Sequence, residues 1–386
     1  MKLLHTADLH IGKVVNEFSM IEDQKYILQQ IIDLAIKEEV DGILIAGDIY
    51  DRSVPPADAV VLLDWFLNSL IKNNIKIYMI SGNHDSAQRL GFASKLLEEK
   101  GLYIGSNYDG SMKRIRTKKD EVTVDIYLLP FLKPQTVAYY EDDEDAVIRT
   151  FEDGVRASLS HVAIDHDVVN VLVTHHFVTS ANVLPEQSDS ENQLSLGGID
   201  QVDTSVFDSF DYVALGHIHR PQRIGRDTIR YAGSPLKYSF SEVLHKKSVT
   251  LLEINPNKEI LISTKALEPL HDMRKIKGCL NDLMNPEYYE LADTNDYIQA
   301  TLTDEVELVD PIGRLRSIYP NIMQIILEKN QKNINHEQNT LVARKHKSAL
   351  ELFEDFYTQV TGRKFDERRQ KIMEEVFEEV AGGDQQ

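Results

Sequence analysis

A layered α/β domain, a β-sheet core flanked by helices, with a second, small α/β domain and a C-terminal helical pair, is the fold class that this 386-residue sequence predicts. Three observations carry that expectation. Short β-rich apolar runs alternate with helix-period stretches through the first 270 residues. Around 270–330 the texture changes to a smaller mixed α/β segment. A polar stretch without periodicity then precedes two amphipathic helices.

In chain order, strands are expected at 2–7, 40–47, 75–81, 122–130, 168–174 and 211–216, then more closely spaced at 228–233, 247–254 and 260–266. Between the first two, "DQKYILQQIIDLAIKEE" puts Ile27, Ile31, Leu34 and Ala35 on one helical face. Pro55 and Pro56 suit the start of a second helix, whose apolar residues are Val61, Leu62, Trp65, Phe66 and Leu70. The second domain ends in the apolar "IMQIILE" at 322–328. The expected division is therefore 1–268, 269–330, a linker at 331–347 and a helical pair at 348–381.

Ser348 and Glu351 form a capping box, after which Leu352, Phe353, Phe356 and Val360 make an apolar stripe. Ile372, Met373, Val376 and Phe377 share a face of the next helix. Two short amphipathic helices bury little surface by themselves. Beyond a long polar linker they suit an apolar groove or coiled coil on a partner.

Composition narrows the function. Net charge is −20, from 42 basic and 62 acidic side chains. This argues against a surface that binds a polyanion all over, so any nucleic-acid contact must rest on local basic patches, bound cations or a basic partner. One cysteine, Cys279, excludes an internal disulfide and a multi-cysteine zinc site. No apolar run approaches the ~20 residues of a membrane span, and "MKLLHTADLH" lacks the apolar core of a signal peptide. A cytoplasmic protein with no membrane partner is expected.

The informative pattern lies where strands end. Asp8 and His10 follow the first strand, Asp48 the second, Asn83 and His84 the third, His175 the fifth, and His217 and His219 the sixth. One histidine after one strand is ordinary. Five strands that each end in a potential ligand are not, and ligands in open α/β sheets gather at the carboxyl ends of strands. Two divalent ions about 3.5–4 Å apart clamp a phosphoryl group and lower the pKa of a bridging water. A short, firmly placed carboxylate such as Asp48 suits a bridge between them. Asn83 offers a neutral oxygen, which limits the negative charge facing a phosphate. His84, beside it on a tight turn, suits proton donation to the leaving oxygen. Mixed imidazoles and carboxylates favour manganese, iron or zinc over magnesium or calcium. Asp85 suits holding the turn or orienting His84.

The segments "DLH", "GDIYD", "GNHD", "THH" and "GHIH" resemble, in this order, the signature segments of the calcineurin-like metallophosphoesterases. The longer spellings "HTADLHIGK", "GDIYDRSVPP", "SGNHDSAQRL", "ALGHIHRPQ" and "RYAGSPLKYSF" are similar to the SbcD family of bacterial nuclease subunits. That resemblance implies two manganese ions, one held by Asp8, His10, Asp48 and His219 and the other by Asp48, Asn83, His175 and His217. His84 is then the catalytic histidine. His175 is chosen over His176 by its spacing to "FVTSA", with His176 as the alternative. Asp51 stands where archaeal and eukaryotic relatives carry a histidine, as an orienting group or a turn cap. The second domain corresponds to a DNA-recognising capping domain, and the helical pair to the site for a coiled-coil ABC-type ATPase, SbcC. A homodimer within a heterotetramer is implied, through the helices after Pro55 and around Gln88–Glu98.

The function expected is that of a manganese-dependent DNA exonuclease and endonuclease in an ATP-dependent repair complex. A stand-alone phosphatase or phosphodiesterase of a small molecule is the alternative, and a non-catalytic DNA-tethering scaffold ranks third. Lys13, Arg52, Arg89 and Arg220 lie beside the motifs and could meet DNA phosphates. The basic "MKRIRTKKDE" at 112–121 suits either a hairpin tip on DNA or a solvated face.

Overall fold

The computed structural model describes residues 1–141, 147–181, 183–191 and 198–328, with positions 353, 354, 357, 365, 369, 370 and 373. All nine strands expected up to residue 266 form. In chain order they and their neighbours are β1 (Lys2–Thr6), β2 (Gly42–Ala46), β3 (Lys76–Ile80), β4 (Leu102–Gly105), β5 (Lys113–Lys119) and β6 (Val122–Leu129), then β7 (Val169–Thr174), β8 (Tyr212–Leu215), β9 (Gln222–Ile224), β10 (Arg226–Tyr231), β11 (Ser248–Ile254) and β12 (Ile260–Ala266). They make two six-stranded sheets, ordered β12-β11-β1-β2-β3-β4 and β9-β10-β8-β7-β6-β5. β1 to β4 run parallel in the first sheet, and β6, β7, β8 and β10 in the second.

Period-2 alternation assigns each strand two buried faces. Leu3, Leu44 and Tyr78 of the first sheet meet Val124, Val171 and Ala214 of the second. The opposite faces, with Leu4, Ile43, Ile77 and Met79, pack on helices α1 (Ile21–Lys37) and α2 (Ala57–Lys72). Tyr127, Leu172 and Val213 face outward onto α3 (Pro134–Tyr140) and α4 (Phe151–Ser160). The layers thus run helix, sheet, sheet, helix. Strands buried on both faces read as unbroken apolar runs, as in "GILIA" and "VNVLVT".

One helical face needs correction. Leu62, Phe66 and Leu70 of α2 are buried, but Val61 is 68% exposed, because it lies a helical step off that row. The basic segment is also not a free hairpin tip. It forms β5, an edge strand whose cations are mostly paired: Lys113 with Glu98 (2.6 Å), Arg114 (2.5 Å) and Arg116 (2.8 Å) with Asp125, and Lys119 with Asp41 (2.5 Å). Charges on an edge strand protect it from pairing with another chain.

The chain divides into two compact units, one comprising 1–275, 293–299 and 319–324, the other 276–292, 300–318 and the residues from 325 on. Three strands, β13 (Met273–Gly278), β14 (Tyr297–Leu302) and β15 (Ile322–Leu327), form a sheet in that order. The short helices Leu280–Leu283, Pro286–Tyr289 and Pro311–Arg316 belong to the second unit, the last capped by Asp310 on the Gly313 amide (3.0 Å). The linker at 331–347 and Leu352, Phe356, Val360, Ile372, Val376 and Phe377 of the helical pair lie outside the described residues. Phe353 and Met373 are described and helical, and the Phe353 ring lies 5.8 Å from that of Phe365. Among the described residues no helix is long and apolar enough to cross a membrane.

Candidate metal centre

The carboxyl ends of β1, β2 and β3 meet those of β7 and β8, and every expected ligand sits in that junction. Asp8, His10, Asp48 and His217 adopt left-handed backbone (φ 52, 44, 48 and 91°). Such conformations cost of order 1–3 kcal/mol each and are tolerated best by Asp, Asn and His. Here they turn each strand end back so that its side chain enters the crevice. The turns are braced across the first sheet: the Asp8 amide donates to the Gly47 carbonyl (3.1 Å) and the His10 amide to that of Asp48 (2.9 Å). The two sheets approach closely at Gly216, where an added Cβ would lie 1.9 Å from the Ala46 carbonyl oxygen. Gly82 is as constrained, its Cβ position being 2.1 Å from Asp48 Oδ1.

Two groups of donors share Asp48. In the first, Nε2 of His10 and Nε2 of His219 face each other at 3.1 Å, with Asp48 Oδ2 3.6 Å from His10 Nε2. Ligand atoms of Asp8, His10 and His219 all lie within 4.8 Å of one another. In the second, His175 Nε2 lies 3.0 Å from Asn83 Oδ1 and 3.3 Å from Asp48 Oδ2, and His217 Nδ1 is 3.1 Å from Asn83 Oδ1. His175 Nδ1 donates to the Ala46 carbonyl (2.7 Å), so its Nε2 lone pair faces two oxygen acceptors. Acceptors turned on one another in a buried space call for a cation between them. The donor set fits a dimetal site.

Electrostatics agree. Burial works to lower the His175 pKa, yet the Asp48 carboxylate raises it to about 9, so Nε2 takes up a cation, either a proton or a metal ion, on its side facing Asp48. Burial pushes His217 down to about 3 and His10 well below its usual value, which keeps both imidazoles neutral, the form that ligates. The two histidines of the doublet point in different directions. His176 turns away from the cluster, where its Nδ1 meets Thr174 Oγ1 (2.9 Å), its Nε2 accepts from the Leu132 amide (3.3 Å) and its ring stacks on Phe131.

His84 lies at the rim, its amide donating to Asp48 Oδ1 (2.9 Å) and its Nε2 3.9 Å from Asp48 Oδ2. Its Nδ1 donates to the backbone carbonyl of Asp51 (2.9 Å). The Asp51 carboxylate goes elsewhere, to Lys13 Nζ (2.7 Å). Asp85 ties the strand ends together by accepting from the amides of Ile49 (3.0 Å), Tyr50 (2.9 Å) and Gly82 (2.9 Å). Of the cations beside the motifs, Lys13 is held by Asp51 and Arg220 by Glu186, whereas Arg52 and Arg89 are exposed.

Sequence reading missed the supports of His219. Ser190, Glu191, Glu242 and Lys247 all reach it, the last two almost fully buried. A lone Glu or Lys outside any repeated spacing carries no local signal of such a role. Tyr238 and Gln24 were missed likewise: the Tyr238 hydroxyl donates to the Leu9 carbonyl (2.6 Å) and the Gln24 amide to that of His10 (2.8 Å).

A family model described as calcineurin-like phosphoesterase matches residues 1–221, and one described as type 5 capsule protein repressor C-terminal domain, the SbcD C-terminal model, matches 269–361. Among solved structures, the chain is similar to a dimetal phosphatase from Danio rerio, with 13% identity over 70% of this chain and 98% of that one and a TM-score of 0.40. It is also similar to the calcineurin-like phosphoesterase YfkN from Bacillus subtilis, with 11% identity over 69% of this chain and 90% of that one and a TM-score of 0.36.

Proposed function

We propose that this chain, which belongs to the calcineurin-like phosphoesterase family and carries the domain pair of an SbcD-type nuclease subunit, is a manganese-dependent DNA nuclease. It hydrolyses phosphodiesters at duplex ends and in hairpins or single strands, in the cytoplasm, beside an SbcC-type coiled-coil ATPase. The observation that carries the reaction type is the placement of Asp48 at the hub of both donor groups with His84 anchored on it. Asp8, His10, Asp48 and His219 would hold one ion, and Asp48, Asn83, His175 and His217 the other. Bound ions polarise the phosphoryl oxygens and supply a nucleophile near neutral pH.

The chain's own part is positioning and proton movement. The Asp51 carbonyl accepts the Nδ1 proton of His84, so the ring presents Nε2 toward the crevice. From Nε2 the proton passes to the leaving oxygen. Arg52, Arg89, Lys13 and Arg220 are the cations nearest a DNA backbone, and a strand binding there must compete with Asp51 and Glu186 for the last two. That competition and the net charge of −20 favour the second reading, hydrolysis of a small phosphodiester. Manganese-dependent cleavage of a hairpin-ended duplex, abolished by chelation, is the expected result in a direct comparison with bis-nitrophenyl phosphate. Rapid turnover of the small diester with no DNA cut, with or without the ATPase, would replace the first reading by the second.

Assembly is part of the same reading. Val54, Val61, Phe92 and Leu96 are 60, 68, 81 and 76% exposed, and they lie on the α2 region and the 88–98 segment expected to join two copies. In sedimentation experiments Phe92→Glu should halve the mass of the isolated chain and leave ATPase binding intact. Deleting residues 348–386 should do the reverse. Either variant behaving as wild type refutes the corresponding interface.

A further inference from the structure

His219 is gripped at three points, its amide, its carbonyl and its Nδ1. Its amide donates to Glu191 Oε1 (2.7 Å), its carbonyl accepts from Lys247 Nζ (2.9 Å), and its Nδ1 lies 2.8 Å from Ser190 Oγ. Ser190 Oγ in turn is 2.6 Å from Glu242 Oε1, whereas the direct distance from His219 Nδ1 to that oxygen is 3.4 Å. The hydroxyl therefore bridges a gap that the carboxylate does not close well by itself.

The proton assignments follow from chemistry. A carboxylate only accepts, so the Ser190 hydroxyl proton points to Glu242. Ser190 Oγ must then accept from His219, which places the imidazole proton on Nδ1 and leaves the Nε2 lone pair directed at His10 and Asp48. The opposite tautomer would aim an N–H into the metal crevice and leave the 2.6 Å Ser190–Glu242 contact without a proton. Glu242 is completely buried but well provided for, since Lys247 Nζ bonds to its Oε2 (2.5 Å) and to Ser234 Oγ (2.8 Å) as well as to His219.

We propose that Ser190 is a positioning residue for the metal centre: a hydroxyl relay that couples the Glu242–Lys247 pair to His219 Nδ1 and so sets the tautomer and ring orientation with which Nε2 meets the ion. The inference rests on the reading of His219 as a ligand. Outer-shell partners of metal-bound histidines typically contribute about 10–100-fold to metal affinity. Ser190 is only partly buried and its side chain is small, so removing the hydroxyl leaves the fold in place.

The test is manganese titration of the full-length apo-protein by calorimetry, together with nitrogen-15 NMR of the histidine side chains. Wild type should bind two ions, with His219 in the Nδ1–H form. Ser190→Ala should weaken one of the two binding events by about 10–100-fold, leave the other unchanged and mix the His219 tautomers. Ser190→Thr, which keeps the hydroxyl, should restore both readouts. Ser190→Ala binding both ions within twofold of wild type, or keeping a single His219 tautomer, overturns the relay while leaving the metal centre standing. A wild-type chain that takes up no divalent ion would instead overturn the metal centre, and the relay with it.

Discussion

Asp48→Asn is expected to reduce the manganese content of the purified chain from two ions to one or none, and to bring phosphodiester hydrolysis down to background. The Asp48 carboxylate is shared by both donor clusters, and three imidazoles, those of His10, His84 and His175, lie 3.3–3.9 Å from its Oδ2. On the proposed ligand sets, removing its charge would take a ligand from each ion at once. The loss should therefore exceed the roughly 10–100-fold that an outer-shell partner contributes. Asn suits the left-handed backbone at φ 48°, and its amide oxygen still accepts from the His84 amide, so the fold should survive. Circular dichroism checks the fold and plasma mass spectrometry the metal. A correctly folded variant that still carries two tightly bound ions would refute the shared role of Asp48.

His84→Gln is expected to act on rate alone. A ring nitrogen of His84 lies within 4.8 Å of donor atoms of His10 and Asp48, but neither proposed ligand set uses it, so the variant should bind two manganese ions with unchanged affinity. Its kcat should fall by about 10²–10⁴-fold, the range that a positioned general acid contributes. Glutamine can fill the same volume and keep a hydrogen bond to the Asp51 carbonyl, but it has no proton to give near neutral pH. Asp51→Asn is the informative companion. The link to His84 runs through the Asp51 carbonyl, with the carboxylate on Lys13, so this variant should lose less than about tenfold. Single-turnover kinetics separates these cases. Full activity in His84→Gln would remove the histidine from the mechanism, and a loss in Asp51→Asn equal to that in His84→Gln would return the orienting role to the carboxylate.

Much of the architecture was legible because it is written in short-range patterns. Strands buried on both faces must be apolar throughout, and α1 and α2 must present an apolar stripe to the first sheet. β4 and β5 were less visible for the same reason. "LYIG" is too short to stand out, and "KRIRTKK" alternates at a sheet edge with charges that its neighbours neutralise. Val61 is as apolar as its buried neighbours on α2, and only the position of the first sheet decides which side of the helix is inside.

For the crevice, the sequence by itself determined which residue types end which strands, since a carboxylate, amide or imidazole directly follows five of the apolar runs. Tertiary structure decided their partners and directions. His175 and His176 are neighbours whose side chains diverge, so one enters the space between the sheets while the other packs beside Phe131. Asp51 and His84 were both marked, but that a carbonyl rather than a carboxylate joins them depends on how two loops meet. His10 and His219 stand 209 residues apart and face each other at 3.1 Å, and Glu242 and Ser190, 52 apart, complete the support of the second. Local backbone preference acts over a few residues, whereas these contacts exist only once two sheets have closed on a common core, so no spacing in the chain announces them.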